Sequence, residues 1–175
     1  MSKYPQKKNK DYSFPTILNI NARSLPNKMD ELTTVLDQQH VDIAIITETW
    51  LKEDIENSTI NIHNYNLIRN DRSKPNKKQG GGVCIYIKTN IDHKVWKNIS
   101  TEIETLWITV HPHKMPRKCP ILILGAVYHP PNDNNTYMNQ HISETLDRIQ
   151  KKHPYCGIII AGDFNTLPEK HKKKP

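Results

Sequence analysis

The stretch Val41-Asp42-Ile43-Ala44-Ile45-Ile46-Thr47-Glu48 decides how this chain folds. From Val41 to Thr47 it is too continuously apolar for a strand with one wet face, so it reads as a strand covered on both sides. Directly upstream, Lys28 to His40 places Met29, Leu32, Val35 and Leu36 on one face at helical spacing, with Asn27 as the expected cap and Asp30 and Glu31 in the first turn. Before that helix, Thr16-Ile17-Leu18-Asn19-Ile20 is a short β-branched run that reads as another buried strand. A strand, a helix and a strand in such close succession are most economically a β-α-β unit, which places Glu48 at a strand's carboxyl end.

Downstream, Gly80-Gly81-Gly82 opens onto the alternating run Val83-Cys84-Ile85-Tyr86-Ile87-Lys88, and the glycines predict a bend or bulge. Glu104 to His111 and Ile121 to Tyr128 read as strands joined by a Pro- and Lys-containing turn, which predicts an antiparallel hairpin and hence a mixed sheet. Thr136 to Lys152 carries Met138, Ile142, Leu146 and Ile149 as one apolar stripe of a helix. Ile158-Ile159-Ile160-Ala161 is the last strand, and Gly162-Asp163-Phe164-Asn165 follows it. The expected organisation is a basic disordered tail over 1–14, one α/β domain over 15–168 and a Lys-rich tail over 169–175.

Composition narrows the partners. The 175 residues carry 25 Lys plus Arg against 18 Asp plus Glu, a net charge of +7, which favours a polyanion, although many of the lysines crowd the two ends. The loop from Arg69 to Lys78 is basic as well and reads as a solvated face that could meet DNA phosphates. Cys84, Cys119 and Cys156 form no CxxC pair, so neither a disulfide framework nor a zinc site is indicated, and His63, His111 and His113 lack a third ligand at suitable spacing. The polar start and the absence of a run near the ~20 apolar residues of a membrane span predict an intracellular protein, nuclear or cytoplasmic, that is not secreted and has no membrane partner.

Four strand ends carry polar chemistry: Asn19, Glu48, Tyr128, and Asp163 with Asn165. A carboxylate for a hard divalent cation, a second to orient or deprotonate water, and amide and phenol groups to stabilise phosphate charge together suit phosphodiester hydrolysis. Taken singly, each is a common turn or packing residue, and Trp50, Trp96 and Trp107 read as packing residues.

The local spellings go further. Leu18-Asn19-Ile20-Asn21-Ala22-Arg23-Ser24-Leu25, Thr47-Glu48-Thr49-Trp50-Leu51, Gly80-Gly81-Gly82-Val83, Val127-Tyr128-His129-Pro130-Pro131 and Gly162-Asp163-Phe164-Asn165 occur in the order and spacing of one superfamily. From Thr16 to Leu167 the chain resembles the endonuclease/exonuclease/phosphatase superfamily. It looks most like the apurinic-like endonucleases attached to reverse transcriptases in jockey-like LINE (non-LTR) retrotransposons. The resemblance implies an α/β sandwich of two mixed sheets flanked by helices and a reaction in which DNA is nicked with Mg, or Mn, as cofactor. It implies Glu48 as the metal ligand, Asn19 as a neighbour supporting the metal-bound phosphate, and Tyr128 as a phosphate or transition-state contact. Asp163 would align the attacking water and Asn165 would polarise the phosphoryl oxygen. Arg23 and His129 would approach the phosphate backbone, His129 standing where the family often has arginine.

Family members continue beyond Gly-Asp-Phe-Asn with further strands and a late Ser-Asp-His segment, and the sequence here has none, so it reads as C-terminally truncated. Two alternatives follow. One is a catalytically inactive remnant that only binds nucleic acid or a partner protein. The other is the same scaffold acting on a different phosphoester, against which the motif spellings argue. Missing strands would also leave an apolar face and open edges, which predicts self-association or docking with a chain that supplies the missing half.

Overall fold

The computed structural model describes residues 12–72, 80–96, 103–131 and 133–165. Both expected tails, apart from residues 12–14, and most of the basic loop after Arg72 lie outside the described residues.

The first half builds β1 (Ile17–Asn21), α1 (Met29–Gln38), β2 (Ile43–Thr47), β3 (Tyr65–Asn70) and β4 (Val83–Lys88), in a sheet of order β1-β2-β4-β3. β1 and β2 are parallel, as a β-α-β unit requires, and β4 runs antiparallel to both β2 and β3. The second half builds β5 (Asp92–Val95), β6 (Thr105–His111), β7 (Ile121–Tyr128), α2 (Asn135–Lys152) and β8 (Cys156–Asp163), in a sheet of order β5-β6-β7-β8. There β5, β6 and β7 are antiparallel, while β8 returns through α2 to lie parallel to β7. Each sheet is thus mixed, with its parallel, helix-linked pair at one edge.

The two sheets pack face to face. Ile43 and Ile45 of β2 and Val83, Ile85 and Ile87 of β4 meet Ile108 and Val110 of β6 and Leu122, Leu124 and Ala126 of β7 in one apolar layer. The alternate residues of β2, Ala44 and Ile46, face outward beneath Leu32 and Leu36 of α1. That is why β2 is buried at all five positions and reads as an unbroken apolar run. On the other side Trp107, Ile123, Ile158 and Ile160 face α2 through Leu146 and Ile149. The order of layers is helix, sheet, sheet, helix, and each buried Leu or Ile contributes about 1.5–3 kcal/mol.

Three local expectations change. Asn27 does not cap α1: a 3-10 turn over Leu25–Lys28 leads into the helix, and the Asn27 amide donates to Ser24 Oγ instead. The second helix starts one residue earlier than its apolar stripe suggests, because the Asn134 side chain accepts from the Tyr137 N–H and ends the incoming extended chain. β3 and β5 are strands that sequence periodicity does not predict. Among the described residues no helix is long and apolar enough to cross a membrane. The three cysteines are free thiols, with Cys84 buried.

Candidate active site at the seam of the two sheets

The parallel register of β1 and β2 sets Asn19 opposite Ile45 and Asn21 opposite Thr47, so both asparagines lie on the face that looks toward the second sheet. They reach β8 there. Asn19 Nδ2 donates to the Gly162 carbonyl at 3.3 Å, and Asn21 Nδ2 donates to Asp163 Oδ2 at 2.8 Å. The other oxygen of the same carboxylate, Oδ1, accepts the Asn165 N–H at 3.2 Å. Asp163 is therefore held at both oxygens, by the first strand and by its own turn.

β7 and β8 end together, with Tyr128 opposite Asp163. The Tyr128 hydroxyl donates across the seam to the Glu48 carboxylate. Glu48 follows β2 directly, and its carbonyl accepts the Ser24 N–H at 3.0 Å. Asn19, Asn21, Asp163, Tyr128, Glu48 and the Arg23–Ser24 turn thus make a connected course around one end of the sandwich. Arg23, Ser24, Glu48, Trp50 and Asn165 all take left-handed backbone angles, with φ of 46°, 83°, 53°, 56° and 42°. For residues with a Cβ such angles are costly, by roughly 1–3 kcal/mol each, and they turn the side chains sharply off the strand ends.

The Glu48 carboxylate is surrounded by donors. Its Oε2 accepts from Trp50 Nε1 at 2.6 Å and from the Gly81 N–H at 2.8 Å. Burial alone would raise its pKa. The hydrogen bonds from Tyr128, Gly81 and Trp50 and the nearby Arg72 charge outweigh that, and the group sits below the ordinary carboxylate value. The same contacts push Tyr128 well above its ordinary value, first through burial and then because its proton serves Glu48. Glu48 is an anion here and Tyr128 a neutral donor.

Arg72 organises the inner wall. Its Nε donates at 2.6 Å to Glu104 Oε1, a pair only 8% and 6% exposed, and its guanidinium lies 5.5 Å from the Tyr128 ring centroid while donating to the phenol oxygen. Glu104 Oε2 in turn accepts the Gly82 N–H at 2.5 Å. The glycine run is now explained: Gly81 and Gly82 have φ of 78° and 83°, and their successive N–H groups serve Glu48 and Glu104. A Cβ on Gly81 would lie 2.2 Å from Arg72 Cζ, so the guanidinium rests against bare backbone.

The structure brings Asn19, Glu48, Tyr128, Asp163 and Asn165 to one end. Arg23 stands at that end too, exposed on its turn. His129 differs from its expectation as a phosphate contact. It is 1% exposed, its Nε2 is 2.6 Å from Asn135 Oδ1, and its carbonyl accepts Asn165 Nδ2 at 2.8 Å. Its ring is turned into the protein toward the start of α2, away from solvent, and its part is to hold Asn165. Sequence reasoning missed Asn21, Arg72, Glu104 and the hydrogen-bonding role of Trp50. Strand alternation could have found Asn21, two residues from Asn19 and on the same face.

The model of the Endonuclease/Exonuclease/phosphatase family matches residues 17–172. Among solved structures, the endonuclease domain of TRAS1, a telomere-specific non-LTR retrotransposon, aligns over 86% of this chain and 61% of its own, with TM-score 0.61 and 14% identity. The AP endonuclease LMAP from Leishmania major aligns over 85% and 54%, with TM-score 0.64 and 14% identity. An AP endonuclease from Archaeoglobus fulgidus aligns over 89% and 59%, with TM-score 0.56 and 16% identity. The chain thus spans between half and two thirds of these three structures. No curated protein matches it by sequence.

Proposed function

Because this chain belongs to the endonuclease/exonuclease/phosphatase family, we propose that its seam is a phosphodiesterase site whose reaction is magnesium-dependent nicking of DNA, as in LINE-type retrotransposon endonucleases. The observation that carries this reading is the Glu48 carboxylate, kept ionised by three hydrogen bonds at the end that also holds Asp163, Tyr128, Asn19 and Asn165. The net charge of +7 supports a polyanionic substrate.

The donor set suits magnesium. Among the described residues no three His, Cys, Asp or Glu side chains form a metal cage. Magnesium does not need one, since it commonly takes one or two carboxylates and fills its shell with water and substrate phosphate. Glu48 would be its ligand, with Asn19 beside the phosphate. The bound ion would supply charge neutralisation at the phosphate oxygens.

The chain's own groups would do the rest. Asp163, fixed by Asn21 and by the Asn165 N–H, would align the attacking water and accept its proton. Asn165 spends one amide hydrogen on the His129 carbonyl and would turn the other to a phosphoryl oxygen. Tyr128, whose one hydroxyl proton serves Glu48, would turn it to the developing charge when Glu48 holds the ion, and the exposed Arg23 would contact the phosphate backbone. Three free thiols suit a reducing compartment, nuclear or cytoplasmic.

A second reading is a domain that binds nucleic acid without cutting it, which the net charge of +7 supports equally. Supercoiled plasmid incubated with purified protein and magnesium, against EDTA and a Glu48→Ala control, separates the two. Magnesium-dependent nicking abolished by the substitution is expected. Folded protein that retards plasmid without nicking it would establish the binding-only reading.

A further inference from the structure

On the outer face of the second sheet, away from the seam, a cleft of about 860 Å³ opens between β5, β6 and the C-terminal half of α2. It arises because α2 covers the middle of the sheet, through Ile123 and Ile149, and leaves the short strand β5 uncovered at the edge. Its charged lining is cationic or basic throughout: Lys94 from β5, His111 from β6, and Arg148, Lys152 and His153 on or just after α2. Arg148 and Lys152 are four residues apart and share one helical face. The floor is aromatic. Trp96 anchors its indole N–H on Thr109 Oγ1 at 2.8 Å, with the Lys152 ammonium 5.5 Å from its ring centroid and the His153 ring 6.1 Å away.

Cations and an indole in one open groove have a chemical counterpart in a single strand of nucleic acid, which offers phosphates to the rim and base faces to the floor. A lone phosphate would need donors converging on a point. Here Lys94, His111 and Arg148 come from three different elements along the walls, which suits a run of chain better. An acidic peptide would match the charge, but its Asp and Glu side chains offer no flat face to the indole, whereas every base of a nucleic-acid strand does. At the rim the 85% exposed carboxylate of Asp92 lies 3.6 Å from His111, so the cationic character of the groove rests on Lys94, Arg148 and Lys152.

We propose that this cleft is a second nucleic-acid site, distinct from the seam, that holds a segment of single-stranded DNA or RNA by its phosphates with a base against Trp96. It goes beyond the hydrolytic reading, because a strand held here lies outside the seam and is not the one cut.

The test is fluorescence anisotropy of a labelled 12-nucleotide single strand on the full chain in EDTA, where no cleavage intervenes. Lys94→Glu with Arg148→Glu should weaken binding on the order of tenfold and flatten the dependence of log K on log salt by about 1.4, or 0.7 for each phosphate left unneutralised. Lys114→Glu with Lys118→Glu, the same charge change in the turn between β6 and β7, should have much less effect. The oligonucleotide should also quench tryptophan emission clearly less in Trp96→Phe than in the parent chain. Should the charge reversals unfold the chain, Lys94→Gln with Arg148→Gln carries the same expectation at smaller amplitude. Equal weakening by both charge-reversal pairs would overturn the site in favour of diffuse attraction. Equal binding of a poly-glutamate peptide, or full competition by inorganic phosphate at matched phosphate concentration, would overturn the assignment to a nucleic-acid strand. Nicking of plasmid plays no part in these readouts, so the seam reading and the cleft reading fail separately.

Discussion

Replacing Glu104 by Gln tests whether the buried Arg72–Glu104 pair holds the inner wall of the seam. The pair is 8% and 6% exposed, and Glu104 uses one oxygen for Arg72 Nε and the other for the Gly82 N–H. A glutamine has only one acceptor oxygen, so one of the two donors would face its NH2 group instead. The guanidinium would also be deprived of its carboxylate partner in a nearly dry setting. Removing one member of a buried pair costs about 3–5 kcal/mol, which for a chain of 175 residues lowers Tm by roughly 6–20 °C. Urea and thermal unfolding at neutral pH read this directly. The double variant Arg72→Met with Glu104→Met should recover a good part of the stability, with a coupling energy of at least about 1 kcal/mol. A destabilisation by Glu104→Gln below about 1 kcal/mol, or single effects that simply add in the double variant, would refute the reasoning.

Trp50→Phe deletes the 2.6 Å bond to Glu48 Oε2, and the Glu48 pKa should rise toward the ordinary 4.5, as carboxyl carbon NMR titration can follow. With its folded pKa depressed, Glu48 contributes stability fully present above 4.5 and lost as pH falls through the folded value, so the variant should shed less stability on acidification than the parent. Gly81→Ala forces an alanine to φ near 78° and its Cβ into Arg72, so urea unfolding should show a destabilisation of at least about 1–2 kcal/mol; an unchanged midpoint would contradict the close approach of the guanidinium to the backbone. Asn21→Ala removes the donor on Asp163 Oδ2, and plasmid nicking should fall on the order of tenfold with the melting curve little changed; full activity would separate Asn21 from the site.

Much of this architecture is readable because burial on both faces leaves a mark in the sequence. The β-α-β unit around Val41–Thr47, the hairpin of β6 and β7, and α2 with its stripe through Ile149 all follow from periodicity. β3 escapes because Tyr65–Asn70 mixes apolar and polar residues without clean alternation, and β5 because Asp92–Val95 is short and polar. As edge strands they bury only part of each face, so alternation is weak. In the seam, the strand-end residues Asn19, Glu48, Tyr128 and Asp163 can be picked out one by one. Arg72 and Glu104 cannot, since a pair 32 residues apart and joined across two sheets has no local signature. His129 misleads because it directly follows Tyr128, which faces the seam, while its own ring is buried against Asn135.

The hydrogen bonds from Asn19 to Gly162 and from Asn21 to Asp163 join residues 143 and 142 positions apart, so they tie the first described strand to the last. On a ribosome, where chain emerges in order, β1 and β2 can pair and receive α1 long before β8 exists. Asp163 then arrives after the other described strands and closes a loop of more than 140 residues, the kind of contact that forms late. Glu48 and Asn19 stay without their opposite wall until that moment. A site divided in this way is incomplete until β8 is made, and its assembly in a refolding experiment would time the docking of the two sheets.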